Sequence, residues 1–272
     1  MDSQFYEFFP VKSANFLLLP TSAEAAVTFR IPDIRIEPLS AGRFFIIFYF
    51  SFMPKTIGIL GGLGPQTTSH FYLDLIRAAT HESRPPVCIW SLPLNIRKEA
   101  EFIASGKHRD HFFQLMHDGA LRLARAGSQF IVIPCNTVHE FHPILAGLLD
   151  IPVVNLIEIV AQEVVKRGWG KIFLLATSRT IQTKLYQHAL EKKSIEICLP
   201  DSEDQQKLDF LIQGLLGERM SQKHQKFVAS LIEQSGAEHI ILGCTDLQLV
   251  FTPSENVIDS MQTLVLHTAG LI

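Results

Sequence analysis

The sequence lacks the charge excess and the basic clusters that mark proteins binding nucleic acids or anionic membranes. Among its 272 residues, 24 Lys and Arg stand against 27 Asp and Glu, for a net charge of −3. No block of Lys and Arg interrupts this balance, so neither a nucleic acid nor a membrane is an expected partner. The chain is 47% hydrophobic and can bury a large core. A small-molecule partner fits this composition best.

Cysteine is scarce, and its spacing excludes two common uses of the residue. None of the four cysteines belongs to a Cys-x-x-Cys pair of the kind that binds zinc. So few thiols in a chain of this length do not make a secreted disulfide framework. We therefore expect a cytoplasmic protein with free thiols. Cys88 and Cys198 are interpreted as small buried apolar residues.

The sequence also has no apolar run of the length that a membrane-spanning helix needs, which is about 20 residues. An aromatic run from Phe44 to Phe52 is about half as long and lies too far into the chain for a secretory signal. Residues 1–52 are interrupted by prolines and show no sustained helical or strand period. We expect an N-terminal extension that is disordered, or a start-site artefact with Met53 as the natural start. A membrane- or partner-binding segment is the alternative.

After Met53, apolar runs of strand length alternate with amphipathic stretches of helical spacing. This pattern is typical of a parallel sheet that helices cover on both faces. Three segments of the pattern occur twice, in the same order and at similar offsets. The segments 55–60, 126–135 and 152–155 resemble 171–175, 235–244 and 256–259. The repetition predicts two homologous α/β halves.

Each predicted half ends a strand with a cysteine, Cys135 in the first and Cys244 in the second. Because ligands of open parallel sheets bind beyond the carboxyl ends of the strands, each half brings one thiol to its binding edge. If the halves face one another, the thiols meet across one cleft. Inversion of an α-carbon requires one group to remove a proton and another to return one to the opposite face. We therefore predict that Cys135 and Cys244 are the acid/base pair of a racemase.

Residues beside the two cysteines are candidates for supporting roles. Both cysteines precede predicted helix starts, where the dipole and free backbone N–H groups favour a thiolate and an anionic ligand. The substrate-binding candidates there are Asn136, Thr137 and Thr245. His139 lies one helical turn after Cys135 and either supports it or is a buried structural histidine. Asp246 either orients the Cys244 thiol or is a first-turn helix acid.

A glycine-rich turn follows the first predicted strand. Gly62 and Gly64 approach a dinucleotide fingerprint, but Pro65 falls inside it and no ribose-binding acid ends the next strand. The simpler interpretation is that the turn lets a small anionic substrate approach its backbone N–H groups. Gly62 and Gly64 are therefore predicted to bind substrate.

Taken together, these motifs resemble the aspartate racemases of the aspartate/glutamate racemase family. The matching segments are 58–68, 134–139, 175–180 and 243–247, within a resemblance that runs from Met53 to Ile272. It implies two α/β domains related by pseudo-twofold symmetry, with the active site in the cleft between them. The domains are then 53–155 plus 259–272, and 156–258. It also implies racemisation of aspartate, glutamate or a related amino acid, no pyridoxal phosphate, no metal, and a homodimer.

The resemblance adds further binding candidates. These are Thr177 and Thr180 at the start of the second half, and Lys98 after the second strand as a substrate-binding cation. Arg97 and Lys184 are alternatives to Lys98, and a solvated surface charge would explain any of the three. Asp246 departs from the glutamate usual in the family. The motifs of cell-wall glutamate racemases, Asp-Ser-Gly and Gly-Cys-Thr-His-Tyr-Pro, are absent.

Other functions stay open at this point. Hydantoin racemases, maleate isomerases and arylmalonate decarboxylases use the same scaffold, although two cysteines in these contexts favour racemisation. A non-catalytic amino-acid-binding protein is an alternative of another class. A redox pair formed by Cys135 and Cys244 is a third.

Overall fold

The computed structural model describes residues 55–79, 84–216, 222–251 and 254–272, and four strands nearer the N-terminus. The chain divides into two compact units, Met1–Pro54 and Lys55–Ile272. The strands of the first unit are β1 (Phe8–Val11), β2 (Ala14–Leu19), β3 (Ile34–Leu39) and β4 (Arg43–Phe48).

These four strands form an antiparallel sheet in the order β1-β2-β4-β3. Pro10 and Pro38 lie in the two edge strands, where a missing N–H leaves the ladder intact. The sequence pattern did not indicate these strands. Met53 lies outside the described residues, and its use as the natural start stays a prediction.

The second unit alternates strands and helices in the predicted manner. Its strands are β5 (Ile57–Gly61), β6 (Val87–Ser91), β7 (Phe130–Val132), β8 (Lys171–Leu175), β9 (Glu196–Cys198), β10 (Ile240–Leu242) and β11 (Val257–Asp259). Its α-helices are α1 (Pro65–Ala78), α2 (Ile96–Ser105), α3 (Arg109–Arg125), α4 (His142–Leu148), α5 (Leu156–Lys166), α6 (Ser178–Gln182), α7 (Leu185–Glu191), α8 (Ser202–Leu216), α9 (Gln222–Ser235) and α10 (Ser260–Ala269). Two short 3-10 helices, Thr137–Phe141 and Thr245–Leu249, follow the cysteines. Among the described helices, none is both long and apolar enough to cross a bilayer.

The strands of this unit form two parallel sheets of matching order. The first sheet is β6-β5-β7, and a parallel bridge between Ile131 and Val153 adds a fourth position beside β7. The second sheet is β9-β8-β10-β11, so every strand has a counterpart in the other half. The predicted α/β fold with two similar parallel-sheet halves is therefore confirmed.

The repeated segments also begin equivalent helices. The side chain of Asn155 accepts a hydrogen bond from the backbone N–H of Glu158 at 3.2 Å, and so caps α5. The side chain of Asp259 accepts one from Met261 at 2.8 Å, and so caps α10. A short polar acceptor satisfies an otherwise unpaired N–H of the first turn, which explains why both repeats carry one here.

The two halves share a core. One apolar cluster contains Ile59 of β5 and Leu174 of β8, and joins them through α1, α5, α7 and α10. Separate clusters pack on the other side of each sheet. Because the shared cluster lies between the sheets, it fixes the carboxyl ends of their strands relative to each other.

Candidate active site

Cys135 and Cys244 line the same cavity, one from each half of the second unit. Cys135 follows β7 through Ile133 and Pro134, and Cys244 follows β10 through Gly243. At Gly243 a Cβ atom would lie 2.7 Å from Leu174 Cδ1, so only glycine allows this close packing before the thiol. The structure thus brings together the two thiols that the repeat predicted.

The cavity is nearly closed, with a volume of about 10 Å³ that would hold one water molecule. Its apolar walls come from Leu63, Phe102, Ile103, Val138 and Ile212. Its polar lining consists of the two cysteines with Glu99, Asn136, Thr137, Thr177, Thr245 and Asp246. An amino acid is larger than this volume, so the cleft must open to admit one.

Both cysteines are neutral thiols in this closed site. Burial raises the pKa of Cys135 to about 12, and backbone N–H groups of Val138 and Thr137 oppose this shift only in part. Burial, followed by the charge of Asp246, raises the pKa of Cys244 well above its ordinary value. We expected the helices that follow the cysteines to favour thiolates, but in the closed site the effect of burial on both pKa values is larger. The helices are single 3-10 turns, and desolvation dominates over their N–H groups.

Asp246 connects the second thiol to the glycine-rich turn. Its carboxylate accepts a hydrogen bond from the hydroxyl of Thr67, and its Oδ2 lies 3.9 Å from Cys244 Sγ. Burial raises the pKa of Asp246 to about 6, although both of these hydrogen bonds lower it. A Cβ atom at Gly64 would lie 3.1 Å from Asp246 Oδ1, so the turn and the carboxylate are in close contact.

His139 is buried and holds backbone rather than lining the cavity. Its Nε2 accepts a hydrogen bond from the backbone N–H of Leu156 at 3.1 Å. Nδ1 must then carry the proton and donate it to the carbonyl of Cys135, at 2.7 Å. Burial lowers the pKa of His139 to about 4. The histidine is thus neutral near pH 7, and it positions the segment that carries the first thiol.

The side chain of Asn136 bridges the two halves. Its Nδ2 donates to Ser260 Oγ at 2.9 Å, and its Oδ1 accepts from the hydroxyl of Tyr186 at 2.6 Å. All three side chains are buried. This amide is engaged with protein partners, which favours a positioning role.

The predicted threonines form a hydroxyl cluster beside the cavity. Thr137 and Thr177 are 3.0 Å apart at their Oγ1 atoms, and Thr177 and Thr180 are 2.9 Å apart. Thr180 does not line the cavity. Thr245 donates to the carbonyl of Pro134 at 3.2 Å, which ties the second 3-10 helix to the first cysteine segment.

Besides Thr180, three predicted binding residues are not part of the cavity lining. Gly62 and Gly64 form its neighbouring turn with φ of 88° and 79°, a conformation that glycine adopts without strain. The N–H of Gly62 donates to Thr68 Oγ1 at 2.9 Å, so the turn is internally bonded. Lys98 is exposed on the first turn of α2. The structure does not bring its side chain to the thiols.

Sequence reasoning missed Glu99, a buried carboxyl that lines the cavity. Only 4% of its surface is exposed, and its Oε1 has no hydrogen-bond partner among the described residues. Burial, then the charge of Asp246, raises its pKa to about 7, against a backbone hydrogen bond from Gly64. The signal was available, because Glu99 lies three and four positions before Phe102 and Ile103 on the apolar face of α2.

No group of three or more His, Cys, Asp and Glu side chains is placed to hold a metal ion within the part of the chain that the structure describes.

Comparisons with known proteins agree with this architecture. Residues 60–268 match the family described as Asp/Glu/hydantoin racemase. The broad specificity amino-acid racemase RacX of Bacillus subtilis is 29% identical over 226 residues, which cover 79% of this chain and 96% of that protein.

Solved structures give the same result. The crystal structure of an aspartate racemase homologue from Pyrococcus horikoshii is 29% identical with a TM-score of 0.64, covering 79% of this chain and 99% of that one. The aspartate racemase of Picrophilus torridus is 21% identical with a TM-score of 0.66, covering 79% and 94%, and shares the fold. The family match spans most of the chain and includes both α/β halves. The chain therefore belongs to the Asp/Glu/hydantoin racemase family.

Proposed function

We propose that this protein racemises an amino acid without a cofactor, with Cys135 and Cys244 as a two-base pair. The observation that carries the proposal is that the two halves each contribute one thiol to a single cavity. Two thiols at one cavity suit a reaction that removes a proton from one face of a carbon and returns one to the other. The resemblance predicts aspartate, glutamate or a related amino acid as substrate, and a homodimer, while the few unpaired thiols predict a cytoplasmic location.

The proposed reaction balances protons across the substrate. One cysteine, as thiolate, takes the α-proton from one face and becomes a thiol. The other, as thiol, gives its proton to the opposite face of the planar carbanion and becomes a thiolate. Two backbone N–H groups, of Thr137 and Val138, lower the pKa of Cys135 and so stabilise its thiolate. The backbone N–H group of Asp246 does the same for the thiolate of Cys244. The reverse reaction uses the same groups in exchanged roles.

The surroundings of the thiols fit the ends of an amino acid. Asp246, beside Cys244 Sγ, is suited to face the α-ammonium group. The N–H groups and hydroxyls that follow the cysteines are suited to the α-carboxylate, where they would also stabilise charge on the carbanion. Closure around the substrate excludes water, which strengthens each of these interactions.

The test is a racemisation screen over the common L-amino acids in D2O, read by chiral chromatography and mass spectrometry. We expect D-enantiomer to form and deuterium to enter the α-carbon. Cys135→Ala and Cys244→Ala should each lose at least about 100-fold in kcat, the usual worth of a general acid or base. Cys88→Ala and Cys198→Ala, which remove thiols outside the cavity, are the matched controls.

Three results would contradict the proposal. If either cavity variant kept nearly normal turnover, the two-base mechanism would be wrong. Proton exchange without inversion, or turnover of hydantoins, maleate or arylmalonates in place of amino acids, would point to another activity of the same scaffold.

A further inference from the structure

We propose that Glu99 selects the substrate by receiving a cationic group at the end of its side chain, so that basic amino acids are preferred over aspartate and glutamate. This inference rests on the proposed function, because it names the substrate class of the same cavity. It follows from the position of Glu99, from the charges around it and from the shape of the lining.

The first step is the unpaired carboxyl. Glu99 is 4% exposed, faces the cavity that holds both thiols, and leaves Oε1 without a hydrogen-bond partner in the described residues. A buried carboxylate is costly unless a cation or several donors compensate it. An unpaired oxygen at the wall of a ligand cavity therefore indicates a partner that arrives with the ligand.

The second step is that the protein offers no cation here. No Lys, Arg or His lines the cavity in the residues that the structure describes. Arg97 and Lys98, the neighbours of Glu99 in sequence, are exposed on the outer side of α2. Arg179, on α6, which packs against α2, is paired with Glu140. A cation that compensates the ionised form of Glu99 is therefore expected to come from the substrate.

The third step separates the two carboxyls of the cavity. Asp246 lies against Cys244 Sγ, and its charge raises the pKa of Cys135 more than that of Glu99 does. The α-carbon must lie between the sulfur atoms, so Asp246 is the carboxyl nearer to the α-ammonium. Glu99 is left to meet the far end of the side chain.

The fourth step is the character of the intervening surface. Phe102 and Ile103 follow Glu99 on the same face of α2, and Leu63 and Ile212 complete an apolar wall. A side chain of methylenes that ends in a cation matches an apolar wall that ends in a carboxylate. The carboxylate of aspartate or glutamate would instead join two like charges in a water-poor site.

The experiment compares kcat and KM for L-lysine, L-arginine, L-norleucine, L-aspartate and L-glutamate in wild type and Glu99→Gln. We expect wild type to prefer lysine and arginine. Glu99→Gln should raise KM for these two by about tenfold or more, the loss of one charge-assisted hydrogen bond, with little change for norleucine. Glu101→Gln makes the same chemical change at an exposed position of α2 and should behave as wild type.

We expect the Glu99→Gln variant to fold, and its melting temperature checks this independently. Glu99→Gln keeps the shape of the side chain and removes a buried charge beside Asp246, so its melting temperature at pH 8 should equal or exceed that of wild type. Glu99→Asp is the second variant, which keeps the charge and shortens its reach. It should retain the preference for basic side chains with a higher KM.

Several outcomes would overturn the inference while leaving the racemase activity intact. These are a wild-type preference for aspartate or glutamate, or an equal rise in KM for every amino acid in Glu99→Gln, which would assign Glu99 to the α-ammonium. If wild type racemised none of the amino acids, the proposed function would fail. Calorimetric titration with L-lysine would then decide the inference: binding that Glu99→Gln weakens supports it, and no binding overturns it.

Discussion

The two cysteines show how strongly burial governs a side chain. An exposed thiol has a pKa of about 8.5, and nearby N–H groups lower it, yet burial raises the pKa of Cys135 to about 12. Carboxyls at Asp246 and Glu99 add to this shift. A thiolate must therefore form after the cleft opens or when the ammonium group of a substrate enters.

This protonation state predicts slow alkylation. A raised pKa means that thiolate appears only at high pH, so labelling of Cys135 by iodoacetamide should keep rising about tenfold per pH unit up to about pH 10. A cysteine-containing peptide, the control, should level off above about pH 8.5. Peptide mass spectrometry measures both rates. A plateau for Cys135 below pH 9 would mean that its pKa is not raised in the state that reacts with iodoacetamide.

At the scale of elements, the segment after β7 is held by α7 of the second half and by the start of α10. Tyr186 of α7 donates to Asn136, which in turn donates to Ser260 at the start of α10. Two helices that are distant in sequence therefore position the segment that carries the first thiol. His139 fixes the same segment to the start of α5.

Removal of the Tyr186 hydroxyl should destabilise this arrangement. Tyr186→Phe leaves Asn136 Oδ1 buried without its donor, which should cost about 1–3 kcal/mol of unfolding free energy in urea titrations. Tyr72→Phe is the control, since its side chain is only partly buried and its hydroxyl makes no hydrogen bond within the described residues. If Tyr186→Phe lost no more unfolding free energy than Tyr72→Phe, within experimental error, water would have replaced the lost donor.

The elements and both thiols could be predicted because they depend on local patterns. Strand-length apolar runs, helical spacing and a repeated cysteine after a strand are visible in the chain itself. The role of Glu99 could not be predicted in the same way, because a charge on an apolar helix face gains meaning only from what packs over it. The pKa of the thiols depends on tertiary burial for the same reason. The strands in residues 1–48 lacked a clear alternating pattern.

At the scale of the whole molecule, the shared core makes the halves of the second unit interdependent. Residues of both sheets pack into one cluster with α5 and α10 between them. Neither half can expose its side of this cluster without exposing the other. The unit should therefore unfold as one cooperative body rather than half by half.

The two tryptophans allow a direct test. Trp90 lies in β6 of the first half and Trp169 just before β8 of the second, and the chain has no others. In urea, the fluorescence of Trp90→Phe should change with the same midpoint as its helical circular dichroism, and so should that of Trp169→Phe. The comparison is made within each variant, because the substitutions differ in their own cost. Separate midpoints would mean that the halves unfold independently.

The two thiols have unequal surroundings, and thermodynamics limits what that inequality can do. Two positions after Cys135 stands Thr137, whereas two positions after Cys244 stands Asp246. Mirror-image products have identical free energies, so the equilibrium constant of the proposed reaction is one whatever the site looks like. The ratio kcat/KM must then be the same in both directions. An unequal pair of faces can therefore appear only as a higher turnover for one enantiomer matched by a proportionally weaker apparent affinity for it.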